Sequence, residues 1–81
     1  MSTAANYPFY ELIDLLVETA PERVLNFRAS EKTAKRVYDL IEKEKAGDIT
    51  QKEKEELDRY MLEEDLIIIA KARAQLRLTK K

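Results

Sequence analysis

Reactive side chains in this chain are limited to carboxylates, amines, guanidinium groups, phenols and hydroxyls, because it contains no cysteine and no histidine. Without these two residue types there is no thiol nucleophile, no imidazole base and no ordinary zinc or haem ligand. A carboxylate, lysine or tyrosine catalyses proton transfer only where burial or neighbouring charges shift its pKa. Here these side chains fall on helix faces that the pattern predicts to be solvated, so we expect no enzyme activity and no cofactor.

Three consecutive acids, Glu63, Glu64 and Asp65, suggest a site for a hard metal ion. Adjacent side chains on a helix diverge by about 100°, however, so their oxygens do not converge on one ion. We therefore predict no metal site at this cluster.

Basic residues are concentrated near the end of the sequence, where no acid follows Asp65. They are Lys71, Arg73, Arg77, Lys80 and Lys81. One interpretation is that acids early and bases late complement the macrodipole of a helix. The other is that these residues contact phosphate or an acidic protein surface. Because no aromatic residue lies between them, and because phosphate contacts alone do not specify a sequence, the pattern favours nucleic acid only weakly.

The composition indicates an all-α protein, since 38% of the residues are charged, 44% are hydrophobic, and only one glycine and two prolines interrupt them. Apolar residues recur at spacings of three and four, as in Phe9, Leu12, Ile13, Leu16 and Val17. The pattern predicts a flexible tail over residues 1–6 and a single helical domain over residues 7–81. Its helices span about residues 8–18, 21–28, 31–46 and 51–77, which makes a three- or four-helix unit with a long C-terminal helix.

Local signals mark the ends of the last two helices. Ser30 is suited to an N-cap, and Gly47 to the left-handed residue that ends a helix. Thr50 and Glu53 have the spacing of a capping box. Because no glycine or proline follows Gly47, the last helix extends roughly 40 Å, which is longer than a compact domain of this size is wide.

Four consecutive large aliphatic residues, Leu66, Ile67, Ile68 and Ile69, lie in the middle of this long helix and point in every direction around it. One interpretation is a core helix wrapped by its own chain. In that case a stripe of Leu57, Met61, Ile68, Ala72 and Leu76 packs on the first two helices. The other, which we favour, is a helix interface between chains centred on this run. The predicted partner interface comprises Tyr10, Leu15, Leu62, Leu66, Ile67, Ile68 and Ile69.

The sequence also bears on location and assembly. Its longest apolar run, residues 66–70, is far shorter than the about 20 residues that a bilayer requires, and its first residues lack the features of a signal peptide. The absence of cysteine is typical of a cytoplasmic protein. Small domains often need a disulfide, a metal or oligomerisation to be stable. Since cysteine and histidine are missing, we expect a homo-oligomer, with a dimer as the first expectation, or a complex with another protein.

Four stretches of the chain resemble a group of short bacterial proteins that is frequent in cyanobacteria. They are residues 21–25 (Pro-Glu-Arg-Val-Leu), 37–43 (Val-Tyr-Asp-Leu-Ile-Glu-Lys), 47–58 (Gly-Asp-Ile-Thr-Gln-Lys-Glu-Lys-Glu-Glu-Leu-Asp) and 70–74 (Ala-Lys-Ala-Arg-Ala). Those proteins are encoded beside nucleases of the HNH or PIN type and are suspected antitoxin-like partners. The resemblance implies a bacterial helical protein that binds and neutralises a nuclease.

The sequence therefore predicts a cytoplasmic, non-enzymatic protein–protein interaction module, with a nuclease as its partner in the antitoxin-like interpretation. Two alternatives remain open. One is a structural or adaptor subunit of a larger complex. The other is a weak nucleic-acid-binding module that uses the basic C-terminal residues, although the net charge of −1 gives the whole chain no attraction to nucleic acid.

Overall fold

A computed structural model of the chain describes residues 7–80, which form four α-helices and no β-strand. The helices are α1 (Pro8–Thr19), α2 (Pro21–Leu25), α3 (Glu31–Ala46) and α4 (Gln51–Thr79). The prediction of an all-α fold with a long C-terminal helix is therefore confirmed. Residues 1–6, for which the sequence predicts a flexible tail, and Lys81 lie outside the described residues.

The ends of the first three helices follow the local signals in the sequence. Pro8 and Pro21 begin α1 and α2, where a missing backbone N–H costs nothing. Ser30 caps α3, since its Oγ accepts a hydrogen bond of 3.2 Å from the backbone N–H of Thr33. Gly47 ends α3 with a φ of +77°, in the left-handed region that glycine enters without a Cβ clash.

Thr50 and Glu53 form the predicted capping box at the start of α4. The Glu53 N–H donates to Thr50 Oγ1 at 3.1 Å, and the Thr50 N–H donates to Glu53 Oε1 at 3.0 Å. Two backbone donors that the first turn of a helix leaves without partners are thereby satisfied. From this start α4 continues for 29 residues without interruption, a length of about 43 Å.

Helix α2 ends at Leu25 and is therefore shorter than the predicted helix over about residues 21–28. The N–H of Asn26 still bonds to the Glu22 carbonyl at 3.0 Å, but the N–H of Phe27 turns to the carbonyl of Val24 at 3.2 Å. The chain must then become extended before α3, since Ser30 caps that helix with an extended backbone (φ −63°, ψ 157°). The cap of α3 therefore limits the length of α2.

The described residues pack as two compact units, each of which includes part of α4. The first unit contains α1, α2 and the C-terminal half of α4 from Ile67 onward. The second contains α3 and the N-terminal half of α4 up to Leu66. Each unit has its own buried side chains.

Helix α1 and the C-terminal half of α4 share one buried apolar cluster in the first unit. Ile13 and Val17 of α1 are buried in one cluster with Ala70 and Ala74 of α4, and Val24 and Leu25 of α2 pack against it. Alanine allows two helices to approach closely, because the separation of packed helices depends on the side chains at their contact.

The packing stripe on α4, which belongs to the less favoured interpretation of a core helix, does not occur in the first unit. Ile68, Ala72 and Leu76 of that stripe are exposed, and Ala70 and Ala74 are buried there instead. Met61 is also exposed, and Leu57 is buried in the second unit. The stripe follows the largest aliphatic residues, whereas close packing of α1 on α4 selects the side with the smallest ones.

The buried side chains of the second unit include Leu40 of α3 and Leu57 of α4, with exposures of 0% and 2%. Three further apolar residues of this unit are half-buried, namely Val37 and Ile41 on α3 and Ile49 in the connection between α3 and α4. Burying a leucine side chain contributes about 1.5–3 kcal/mol, so Leu40 and Leu57 are a main apolar contribution to the stability of this unit.

Ion pairs link α3 and α4 in the second unit. Lys43 Nζ lies 2.6 Å from Glu53 Oε2, and Arg36 donates two hydrogen bonds of 2.9 Å to the Glu56 carboxylate. Residue numbers fall on α3 as they rise on α4, so the two helices are antiparallel. Asp39 and Lys43 have the i, i+4 spacing of an ion pair within α3, but Lys43 pairs with Glu53 of α4.

Replacing Thr50 with alanine tests the capping box. Thr50→Ala removes the Oγ1 acceptor of the Glu53 N–H but keeps the backbone donor to Glu53, so it should lower the free energy of unfolding by about 1 kcal/mol. Thermal or urea unfolding measures the change. Lys52→Ala, an exposed substitution in the same turn, is the control, and equal stability of the two variants would show that Thr50 does not cap α4.

The Glu53 carboxylate makes stability depend on pH. The ammonium of Lys43, followed by the backbone N–H of Thr50, lowers the pKa of Glu53 from 4.5 to about 2. A carboxyl with a lower pKa in the folded than in the unfolded protein stabilises the fold above pH 4.5 and loses this contribution as the pH falls toward about 2.

We therefore expect the melting temperature of the wild type to fall between pH 4.5 and about 2. Glu53→Gln should be less stable at neutral pH and should show a shallower fall in acid, because the titrating group is gone. Glu63→Gln, on an exposed position of α4, should keep the wild-type profile. Parallel acid profiles for wild type and Glu53→Gln would contradict the assignment.

Candidate protein-interaction surfaces

The predicted interface residues divide into an exposed and a half-buried group. Leu15, Leu62 and Ile68 are exposed by 61%, 59% and 56%. The others, Tyr10, Leu66, Ile67 and Ile69, are half-buried. All seven residues therefore keep some surface, with Tyr10 and Leu15 on α1 and the other five on α4.

The run of residues 66–69 distributes its side chains around α4 as helical geometry requires. Ile68 lies roughly 200° around the helix from Ala70, which is buried against α1, and so Ile68 faces solvent. Ile67 and Leu66 lie nearer to the Ala70 side and are half-buried. The chain thus covers part of the run and leaves Ile68 as its exposed member.

A second apolar surface lies on α1 and consists of Phe9, Leu12, Leu15 and Leu16, which we call the α1 face. These side chains are exposed by 36%, 51%, 61% and 43%. They lie beside the buried pair Ile13 and Val17, so apolar residues occupy more than half of the circumference of α1.

The predicted interface includes only Leu15 of these four residues, and the sequence places the other three in the apolar pattern that indicates the first helix. The signal that separates the exposed residues of α1 from its packed ones is the width of the apolar arc around this helix. One neighbouring helix covers a stripe of little more than about 100°, and the C-terminal half of α4 covers only the part of α1 around Ile13 and Val17.

Charged residues border the contact of α1 with α4 on the side away from the α1 face. Arg73 Nη1 donates a hydrogen bond of 2.5 Å to Asp14 Oδ1, and Arg77 Nη2 lies 3.2 Å from Glu18 Oε1. The Arg73 guanidinium also lies 5.2 Å from the centroid of the Tyr10 ring, a cation–π contact. Residue numbers rise together on both helices, so α1 and the C-terminal half of α4 run parallel.

These contacts account for part of the basic set predicted to contact phosphate or an acidic surface. Arg73 and Arg77 are engaged by carboxylates of α1. Lys71 is half-buried, Lys80 is exposed, and Lys81 lies outside the described residues. The structure therefore gives two of the five residues a role in packing within the first unit.

Carboxylates with shifted pKa values lie in the second unit and belong to ion pairs. The guanidinium of Arg36 lowers the pKa of Glu56, and the carboxylates of Glu44 and Asp58 raise the pKa of Lys54. These pairs link α3 to α4 or lie along α4, so their shifts arise from helix packing. Between residues 7 and 80, no group of three or more acids is arranged to hold a metal ion.

Helix α4 carries further exposed large apolar residues in both of its halves. Met61 and Leu62 are exposed by 42% and 59% in the N-terminal half, and Ile68 and Leu76 by 56% and 66% in the C-terminal half. Exposed acids surround the first pair, including Asp58, Glu63, Glu64 and Asp65. Within the part of the chain that the structure describes, no helix combines the length and the apolar character needed to cross a bilayer.

Both surfaces offer the same kind of chemistry, which is apolar contact bordered by charge. Contiguous exposed apolar patches of this sort mark binding surfaces in soluble proteins. Comparisons of the chain with protein-family models, with curated proteins and with solved structures find no match.

Proposed function

We propose that this chain is a non-catalytic helical module that binds another protein through the α1 face. The observation that carries the proposal is the exposure of Phe9, Leu12, Leu15 and Leu16, by 36% to 61%, on one side of a short helix. Burying one such side chain in a complex contributes about 1.5–3 kcal/mol, which is the main driving force of association.

The spacing on the α1 face suits a partner with an apolar groove. Phe9, Leu12 and Leu16 are related as i, i+3 and i+7, which is the spacing of the anchors that an amphipathic helix inserts into a groove. The opposite side of α1 is held to α4 by Asp14 and Glu18, so the helix is already ordered in the free protein. A preformed helix loses less conformational entropy on binding than a disordered segment does.

The partner class we propose is a nuclease, which makes the chain antitoxin-like. The resemblance of residues 21–25, 37–43, 47–58 and 70–74 to proteins encoded beside nucleases supports this class. Exposed acids on α4, among them Asp58, Glu63, Glu64 and Asp65, supply charge that complements the basic surface on which a nuclease holds phosphates.

A structural or adaptor role uses the same surface and differs only in the partner. The nucleic-acid alternative has less support, because Arg73 and Arg77 already pair with carboxylates of α1. The experiment must therefore answer two questions. The first is whether binding needs the α1 face, and the second is which class of partner is bound.

The α1 face is tested by placing a charge in it. Leu12→Glu and Leu15→Glu should leave the unfolding temperature nearly unchanged, since both side chains are more than half exposed. Both should abolish the protein complex recovered by gentle purification from the native cell, because a buried unpaired carboxylate is costly. The measurement is the mass of the complex by light scattering, with the partner identified by mass spectrometry.

Glu22→Lys is the matched control, because Glu22 is exposed on α2, outside the α1 face, and its substitution should keep the complex intact. Recovery of the same complex with Leu12→Glu would contradict the role of the α1 face. The isolated partner is then assayed for nucleic-acid cleavage with and without the chain. Inhibited cleavage supports the antitoxin-like role, and a partner that cleaves nothing replaces it with the adaptor role.

A further inference from the structure

Helices α3 and α4 pack as a hairpin in the second unit, and their ion pairs show which side chains share a flank of it. Lys43 pairs with Glu53 on one flank. The next residue of each helix, Glu44 on α3 and Lys54 on α4, forms a pair on the opposite flank. Because successive residues of a helix lie about 100° apart, the flank of any other residue follows from these two pairs.

Large apolar side chains share the flank of the second pair. Around α4, Met61 and Leu62 lie within about 20° and 80° of the lysine of this pair. Around α3, Ile41 and Tyr38 lie about 60° and 120° from its glutamate. Ile41 is half-buried, and the other three are exposed, Tyr38 by 63%. We call Tyr38, Ile41, Met61 and Leu62 the hairpin face.

Two acids bracket the apolar residues that α4 contributes to the hairpin face. Asp58 and Asp65 lie three or four residues before and after Met61 and Leu62, so they point to the same side of α4. Lys54 lies 3.3 Å from Asp58 but also pairs with a carboxylate of α3. Among residues 7–80, no lysine or arginine forms an ion pair with Asp65. The hairpin face is therefore bordered by net negative charge.

This charge restricts what can cover the hairpin face. A second copy of the same face would set acids beside acids, which repel. Nucleic acid and the anionic surface of a membrane are repelled for the same reason. A surface that combines apolar side chains with lysine or arginine complements both the apolar residues and their acidic border.

The arrangement of the hairpin face along two helices suits a third helix. Arg36 pairs with Glu56 in the antiparallel hairpin, so Tyr38 and Met61 lie within about two helical turns of one another along it. One helix of three or more turns can therefore contact both. Two packed helices cover only the contact between them, and a helix laid along both buries a further side of each.

We propose that the hairpin face binds an amphipathic helix of another protein, whose apolar stripe is bordered by lysine or arginine. Binding of a helix in a groove through its apolar anchors is a recurrent mode of recognition. The inference goes beyond the function proposed above, because the hairpin face lies in the second unit and includes no residue of the α1 face.

Apolar and acidic residues have different tasks in this complex. Tyr38, Met61 and Leu62 provide the apolar area, which is the source of affinity. Asp58 and Asp65 select a basic partner over an acidic one, because exposed ion pairs add little affinity whereas like charges oppose binding. High salt should therefore weaken this selection more than it weakens binding itself.

The first test uses two synthetic helices of about three heptads, long enough to lie along the hairpin. Both peptides carry the same leucine stripe, bordered by lysine in one and by glutamate in the other. Fluorescence anisotropy of each labelled peptide measures its binding to the full chain. We expect saturable binding of the lysine peptide and at least about tenfold weaker binding of the glutamate peptide. Equal affinities, or no saturable binding of the lysine peptide, would overturn the proposal.

The apolar contact is tested by Leu62→Gln, which should raise the dissociation constant of the lysine peptide at least about tenfold. Leu76→Gln is the matched control, because Leu76 is an exposed leucine of α4 outside the hairpin face, and it should leave the affinity unchanged. Equal affinities of the two variants would overturn the proposal. Tyr38→Ser repeats the test on α3, so loss of helix by circular dichroism in one variant leaves the other to decide.

The acidic border is tested by Asp65→Asn, which should weaken binding of the lysine peptide severalfold and reduce its dependence on salt. Glu63→Gln removes the same charge from an exposed position about 200° away around α4 and should have little effect. Equal effects of the two variants would show attraction to the total charge rather than to the hairpin face, which contradicts the proposal.

Two further measurements separate this surface from other occupants and from the α1 face. Sedimentation equilibrium compares the mass of the wild type with that of Leu62→Gln. A wild-type dimer that this substitution dissociates would assign the hairpin face to a second copy and overturn the proposal. Leu12→Glu on the α1 face should keep its affinity for the lysine peptide. Loss of the cellular complex in Leu12→Glu with no peptide binding in the wild type would reject the hairpin face alone, and the reverse would reject only the proposed function.

Discussion

The length of α4 relative to the rest of the chain is the constraint on which the structure depends. One helix of 29 residues supplies a packing side to both units, through Leu57 in the second and through Ala70 and Ala74 in the first. A helix buries one side against one neighbour, and residues 7–80 form no further helix or strand that could cover the others. Large aliphatic residues on the remaining sides, such as Ile68 and Leu76, are therefore left in solvent. The exposed surface of α4 follows from its length and does not require a local irregularity.

The choice of the buried side in the first unit combines small residues with an ion-pair border. Ala70 and Ala74 allow close approach of α1, and Arg73 and Arg77 lie at the edge of this contact, where they reach the carboxylates of Asp14 and Glu18. Each of these exposed pairs contributes little free energy by itself. Two of them at the same spacing on parallel helices nevertheless disfavour a slip of α1 along α4, since a slip would separate both pairs at once. The same contact fixes which residues of α1 are left outside, and these are the α1 face.

Interactions between neighbours in sequence could be predicted, and the rotational setting of the helices could not. The caps Ser30, Gly47 and Thr50 depend on hydrogen bonds within a few residues, and all three lie where their residue types indicate. Which side of α4 packs depends instead on contacts with α1, a distant segment. The large residue Leu76 is exposed, whereas the small residue Ala74 is buried against α1. Likewise, Lys43 pairs with Glu53 across two helices because that carboxylate is already held by the capping box. The candidate surfaces were predicted in part, since Leu15, Leu62 and Ile68 are exposed, whereas Phe9, Leu12 and Leu16 required knowledge of what covers α1.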